Sequence, residues 1–237
     1  MTGATMGTRR TPHLLLATGL TALLLLTSCQ GTPAAAPAAE KPDGTAVDQA
    51  KLVPPLHERF EPWTCTERRT GPVCTGELKE ASAWEPASWP CAVPLWGRRT
   101  EHRHQRLLFD HDYRNYARRN RTHDVDAVST SARGPATATI RTRVRYSYDF
   151  DVPGDLDTVT QTSRGVLWDV RPRRGASVFR AVGTLVEPDF EPASFSGRVT
   201  VDGRTTEYDD APMTRFLTDE LFAGWLCEAA TGEPAVP

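Results

Sequence analysis

The sequence predicts an α+β fold: a bent antiparallel sheet of about five to seven strands with an amphipathic helix packed on it at the C-terminal end. Three observations carry this. From Ala136 to Val152, Ala136, Ala138, Ile140, Val144, Tyr146, Tyr148, Phe150 and Val152 alternate with polar residues, the period of a half-buried strand long enough to bend. Asp202-Gly203 sits between the strand-like stretches Phe195–Val201 and Arg204–Tyr208, a strong two-residue hairpin signal. Met213, Phe216, Leu217, Leu221, Gly224 and Trp225 then recur at helical spacing through Cys227.

Taken in order, the first element is closed by the turn residues Thr70-Gly71-Pro72. Trp63-Thr64-Cys65-Thr66 and Pro72-Val73-Cys74-Thr75 flank it as a hairpin or an Ω-like loop. A second helix is expected near 101–119, on a partial stripe of Leu108, Phe109, Tyr113, Tyr116 and Ala117. After the long alternating strand, Pro153-Gly154 supplies a type II turn, with Pro setting φ and Gly accepting a positive one. Thr158–Thr162 starts the return, Gly165–Val170 is a strand closed by Pro172 and Gly175, and Ser177–Glu187 is apolar on both faces, as in a central strand. The C-terminal helix is expected from an Asp209 or Asp210 cap, with Pro212 in its first turn.

The start of the chain has a different composition. Arg9 and Arg10 precede the apolar run 14–26, which is too short to span a bilayer as a helix but suits a signal peptide. Leu26-Thr27-Ser28-Cys29 follows directly, and this tetrapeptide resembles the lipobox of bacterial lipoproteins. The resemblance implies cleavage before Cys29 and a diacylglyceryl group on its sulfur. The protein is then expected on the outer face of the bacterial cytoplasmic membrane, with the membrane as a partner through that lipid. Thr8-Arg9-Arg10 hints at twin-arginine export, but Thr11-Pro12-His13 lacks the expected hydrophobic position, so the route stays open. The expected organisation is a cleaved signal peptide over 1–28, a Pro/Ala-rich tether over 29–51, one domain over 52–230 and a tail over 231–237.

Apart from Cys29, the cysteines are Cys65, Cys74, Cys91 and Cys227. An even number outside the cytoplasm suggests two disulfides with three possible pairings. Cys65–Cys74 across the first hairpin and Cys91–Cys227 to the C-terminal helix are the favoured pair. No Cys-x-x-Cys spacing points to metal.

Candidate chemistry is sparse. His102, His104, Asp110, His111, Asp112, His123 and Asp124 are possible metal ligands, and His104 and His111 would share a face of a helix. The surrounding arginines disfavour a cation, so these two are weak candidates and no metal or cofactor is expected. The arginines themselves, Arg98, Arg99, Arg103, Arg106, Arg114 and Arg118, are candidates for an anion-facing surface, within a basic stretch running on to Arg145 in a chain of net charge −2. Its partner would be anionic lipid, a wall polymer or an acidic protein; nucleic acid is not expected outside the cell. Asp149–Asp157 resembles the opening of a calcium loop, but Pro153 and Thr160 stand where ligands belong, and an acidic hairpin tip fits better. Trp84, Trp89 and Trp96 would be core around Cys91 or, if exposed, would stack on sugars or lipid. No catalytic motif of a common hydrolase, metalloprotease or nucleotide-binding site occurs. The expected role is a non-catalytic binding or interaction module of the cell envelope. The alternatives are a carrier of lipid or another apolar ligand in a half-barrel-like cavity and an extracytoplasmic enzyme.

Overall fold

The computed structural model describes residues 46–188, 194–233 and 235. The expected signal peptide, the lipobox with Cys29 and most of the tether lie outside the described residues. Residues 46–51, expected in the tether, are folded: Ala46 bridges Thr66, the Asp48 carboxylate caps a short 3-10 turn, and Val47 packs near Leu52. At the other end Ala235, expected in the tail, bridges Cys91.

Ten strands form one open antiparallel sheet, more than the five to seven expected. They are β1 (Thr64–Arg68), β2 (Gly71–Ala81), β3 (Glu85–Ala87), β4 (Leu95–Phe109), β5 (Asn115–Ser129), β6 (Ala138–Phe150), β7 (Val159–Pro172), β8 (Phe179–Pro188), β9 (Ser194–Val201) and β10 (Arg204–Pro212). The order β1-β2-β4-β5-β6-β7-β8-β9-β10 is a meander, with β3 beside the start of β4. The one α-helix among the described residues, α1 (Asp219–Thr231), follows.

The expected helix near 101–119 is absent; this stretch is β4, a turn and the start of β5. Burial alternates along it, with Glu101, Gln105 and Leu107 buried and His102, His104 and Arg106 exposed, so the period is two. The apparent helical stripe came from running across the turn Asp110–Arg114, where Tyr113 takes φ +64°. The start of α1 is likewise later than expected. Asp202 (φ 48°) and Gly203 (φ 78°) close the β9–β10 hairpin, and the ladder they set up holds residues 204–212 as strand. The helix is capped instead by Thr218, whose hydroxyl accepts from Leu221 N at 3.3 Å, with Asp219 and Glu220 in the first turn.

The long alternating strand forms as β6, and Pro153-Gly154 makes its turn: Asp155 N donates to Val152 O at 3.0 Å and Gly154 has φ 85°. Thr158 ends a 3-10 turn, and the rest of the expected Thr158–Thr162 and Gly165–Val170 run together as one strand, β7, with a bulge at Leu167.

The sheet has two unlike faces. On the inner face α1 packs over one end, its Leu226, Ala229 and Ala230 meeting Ile140, Leu167, Phe179 and Leu185, and the Trp225 ring stacks on Phe179 at 4.1 Å. Residues 47–63 cover the other end, where Leu52 packs with Cys74, Leu107 and Phe109. Gly165, Gly183 and Gly197 are successive cross-strand partners. A side chain on Gly183 would collide with Ser196 O and the Phe195 ring, so the missing side chains let Phe195 lie over the sheet. The disulfides are Cys65–Cys74, between directly paired residues of β1 and β2, and Cys91–Cys227, which joins the segment before β4 to α1.

Candidate basic groove

The outer face carries the candidate site. In an antiparallel ladder, directly opposed residues project to the same face. The register pairs His104 on β4 with Arg121 on β5, Arg121 with Arg145 on β6, and Arg145 with Arg164 on β7. Four strands thus place four basic side chains in one row, at a spacing of about 4.8 Å per strand. A second row sets His102 against His123 and His123 against Arg143. All seven side chains are exposed, and they line a groove of about 1030 Å³.

The charge in this groove is almost uncompensated. Glu77 on β2 is the one carboxylate along it, and His102 Nε2 lies 2.8 Å from its Oε1. That hydrogen bond, with Lys79 beside it, holds the Glu77 carboxyl below the usual range. Among the described residues Arg121, Arg143, Arg145 and Arg164 have no ion pair. Like charges directly opposed in a sheet cost stability, so the row is a feature the fold tolerates rather than one that holds it together. Chemically it offers planar guanidinium donors to phosphate, sulfate or carboxylate oxygens.

The six arginines singled out from sequence do not form one surface. Arg106 lies on the groove face beside His104, opposite Arg119. Arg98 is on that face too, but its guanidinium sits 5.3 Å from the Trp84 ring. Arg99 and Arg103 point to the inner face, where Asp124 Oδ2 accepts from both, at 2.6 and 3.5 Å. Arg118 also faces inward, over Phe150 and donating to Asn115 Oδ1, and burial pulls its pKa down. Arg114 is in the turn before β5, where its backbone N–H is held by Asp110. His104 and His111 do not share a helix face. His104 is on β4, roughly 17 Å along the strand from Phe109, and His111 is in the turn beyond. Among the described residues no three His, Cys, Asp or Glu side chains are gathered to hold a metal.

Of the groove residues outside that set, Arg121, Arg143 and Arg145 carried a readable signal, and Arg164 joins them only through the β6–β7 register. Arg141, Arg143 and Arg145 alternate on the polar side of β6. Reading 101–125 with a period of two instead of 3.6 puts His102, His104, Arg121 and His123 beside them. Of the other candidates, Asp149 pairs with Arg119 at 2.6 Å, and Asp155 caps the 3-10 turn after the β6 hairpin, which is an acidic tip. Trp89 joins the inner core against Phe222, whereas Trp84 lies under Arg98.

No family model matches the chain, and neither does a curated protein or a solved structure. Its class is therefore given by its fold, a mostly antiparallel open sheet with one C-terminal helix.

Proposed function

We propose that this protein is a lipid-anchored, non-catalytic binding module of the cell envelope, whose basic groove takes a linear polyanion at the outer face of the cytoplasmic membrane. The observation that carries the reading is the uninterrupted row His104–Arg121–Arg145–Arg164. A row perpendicular to the strands suits an extended polymer with regularly spaced anionic groups. A concave groove grips such a chain better than it meets a flat lipid surface. The lipobox-like Leu26–Cys29 supports the location, and the two disulfides agree with an oxidising compartment.

The test is titration of the mature protein in detergent with inorganic polyphosphate, with poly-glutamate and with vesicles of anionic phospholipid. Saturable polyphosphate binding that weakens with salt and is lost in Arg145→Ala/Arg164→Ala supports the reading. Binding only to vesicles, or none to any probe, overturns it. Palmitate incorporation that depends on Cys29 tests the anchor separately.

A further inference from the structure

The inner face holds a second site that is independent of the groove. Between the apolar core under α1 and the core under residues 47–63, the sheet is not apolar. Glu80, Glu101 and Asp124 are consecutive cross-strand partners, three carboxylates in one row on β2, β4 and β5. Arginines bridge them: Arg59 donates to Glu80 at 2.6 Å and to Glu101 at 3.4 Å, Arg103 contacts Glu101, and Arg99 and Arg103 share Asp124 Oδ2.

Beside this network a cleft of about 420 Å³ opens toward α1, within the roughly 300–1,000 Å³ of small-ligand sites. Its walls combine two kinds of surface. Trp89, Trp168, Tyr146 and Phe222 supply aromatic rings; Arg99, Arg103, Asp124, Asp126 and Gln161 supply fixed donors and acceptors. Asp124 is only 4% exposed, lines the cleft, and its Oδ1 is buried without a partner. Asn120 Oδ1 and Thr122 Oγ1, on the same face of the same strand, are also buried and unpartnered. A buried polar atom left unpaired has lost its water without compensation. Of the three, Asp124 Oδ1 is the one in the cleft wall, and it marks a place where a hydrogen-bond donor is wanted.

The chemistry narrows the ligand. Asp124 is already held by two guanidinium groups, which disfavours a metal ion there. Asp126 and Glu187 add further carboxylates to the wall, which disfavours an acidic ligand. Hydroxyl groups answer both needs, because each donates to a carboxylate and accepts from an arginine, and the C–H face of a pyranose packs on an aromatic ring. We infer that this inner cleft, formed by Asp124, Arg99, Arg103, Tyr146, Trp89 and Phe222, is a binding site for an uncharged saccharide.

The experiment uses the mature protein in detergent. N,N′-diacetylchitobiose, cellobiose and glucuronic acid are titrated against tryptophan fluorescence and saturation-transfer NMR. The expected result is saturable binding of at least one of the two neutral disaccharides, and weaker or no binding of glucuronic acid. Asp124→Asn lowers the affinity about tenfold. Asp124 also holds Arg99 and Arg103, so a second variant, Tyr146→Phe, removes one hydroxyl and keeps the ring; it lowers affinity severalfold with unchanged unfolding. Arg145→Ala/Arg164→Ala, on the opposite face, leaves saccharide binding intact while removing polyphosphate binding, which separates this site from the groove. No binding of either neutral sugar, tighter binding of the acid, or binding unmoved by both cleft variants overturns the inference.

Discussion

Arg121 on β5 and Arg145 on β6 stand directly opposite each other on the outer face of the sheet, with His104 beyond the first and Arg164 beyond the second. Such a pair trades stability for a concentrated positive field. Arg145→Thr is expected to raise stability by about 0.2–1 kcal/mol at low ionic strength, since it removes an opposed like charge and adds a strand-favouring residue. The gain shrinks with added salt. Urea unfolding of the variant at two salt concentrations measures it, and a loss of stability at low salt would contradict the repulsion.

Gly183 is expected to tolerate no side chain. A Cβ there would lie 2.3 Å from Ser196 O and 2.8 Å from Phe195 Cε2, and Phe195 is fully buried in the core under α1. Gly183→Ala is expected to destabilise by about 1–3 kcal/mol. The midpoint of chemical denaturation gives the value, and an unchanged midpoint would show that the β9 backbone at Ser196 and Gly197 yields along with the Phe195 ring.

The Cys91–Cys227 bridge encloses a sequence separation of 136 residues, against nine for Cys65–Cys74. Removing it as Cys91→Ala/Cys227→Ala is expected to cost about 2–5 kcal/mol, and the corresponding change at Cys65 and Cys74 less, because the shorter loop restricts the unfolded chain less. Parallel unfolding curves of both double variants rank the two.

Asp169 governs part of the acid sensitivity. Burial alone would raise its pKa, but hydrogen bonds from Arg171 Nε at 2.8–2.9 Å and Ser177 Oγ at 2.6 Å hold the carboxyl below its ordinary value of 3.8. Its folded pKa is thus lower than its unfolded one. The stabilisation is fully present above the ordinary carboxylate range and is lost as pH falls through the folded value. Asp169→Asn is expected to be less stable at neutral pH and to show a flatter decline in acid. Unfolding midpoints of both proteins across that window decide it.

Much of this architecture was legible from residue order where local chemistry is decisive. Strict alternation marked β6, the Asp202-Gly203 pair marked the β9–β10 hairpin, and Pro153-Gly154 marked the turn between β6 and β7. The paired cysteines stand where the hairpin and the helix bring them. The first half of the sheet was harder. Residues 101–119 put Glu101 and Gln105, rather than aliphatic residues, on the buried side of β4, because that side faces an ion network and not oil. Without apolar contrast the period of two is masked, and a chance stripe across a turn imitates a helix. The basic groove was partly hidden for the same reason. Which arginines share a surface depends on strand register, and register is set by partners far along the chain. Asp124 and Trp89 stood out one by one, but their meeting in the inner cleft with Tyr146 and Phe222 left no sequence signal, since the four come from separate elements.

The spacing of the cysteines sets an order on maturation. A chain that emerges N-terminus first presents Cys65 and Cys74 together, as hairpin neighbours, well before Cys227, which lies 136 residues beyond Cys91. Cys91 is therefore left single until α1 has emerged. The first bridge needs only the β1–β2 hairpin, whereas the second is a late seal, closed only once α1 has brought Cys227 to Cys91.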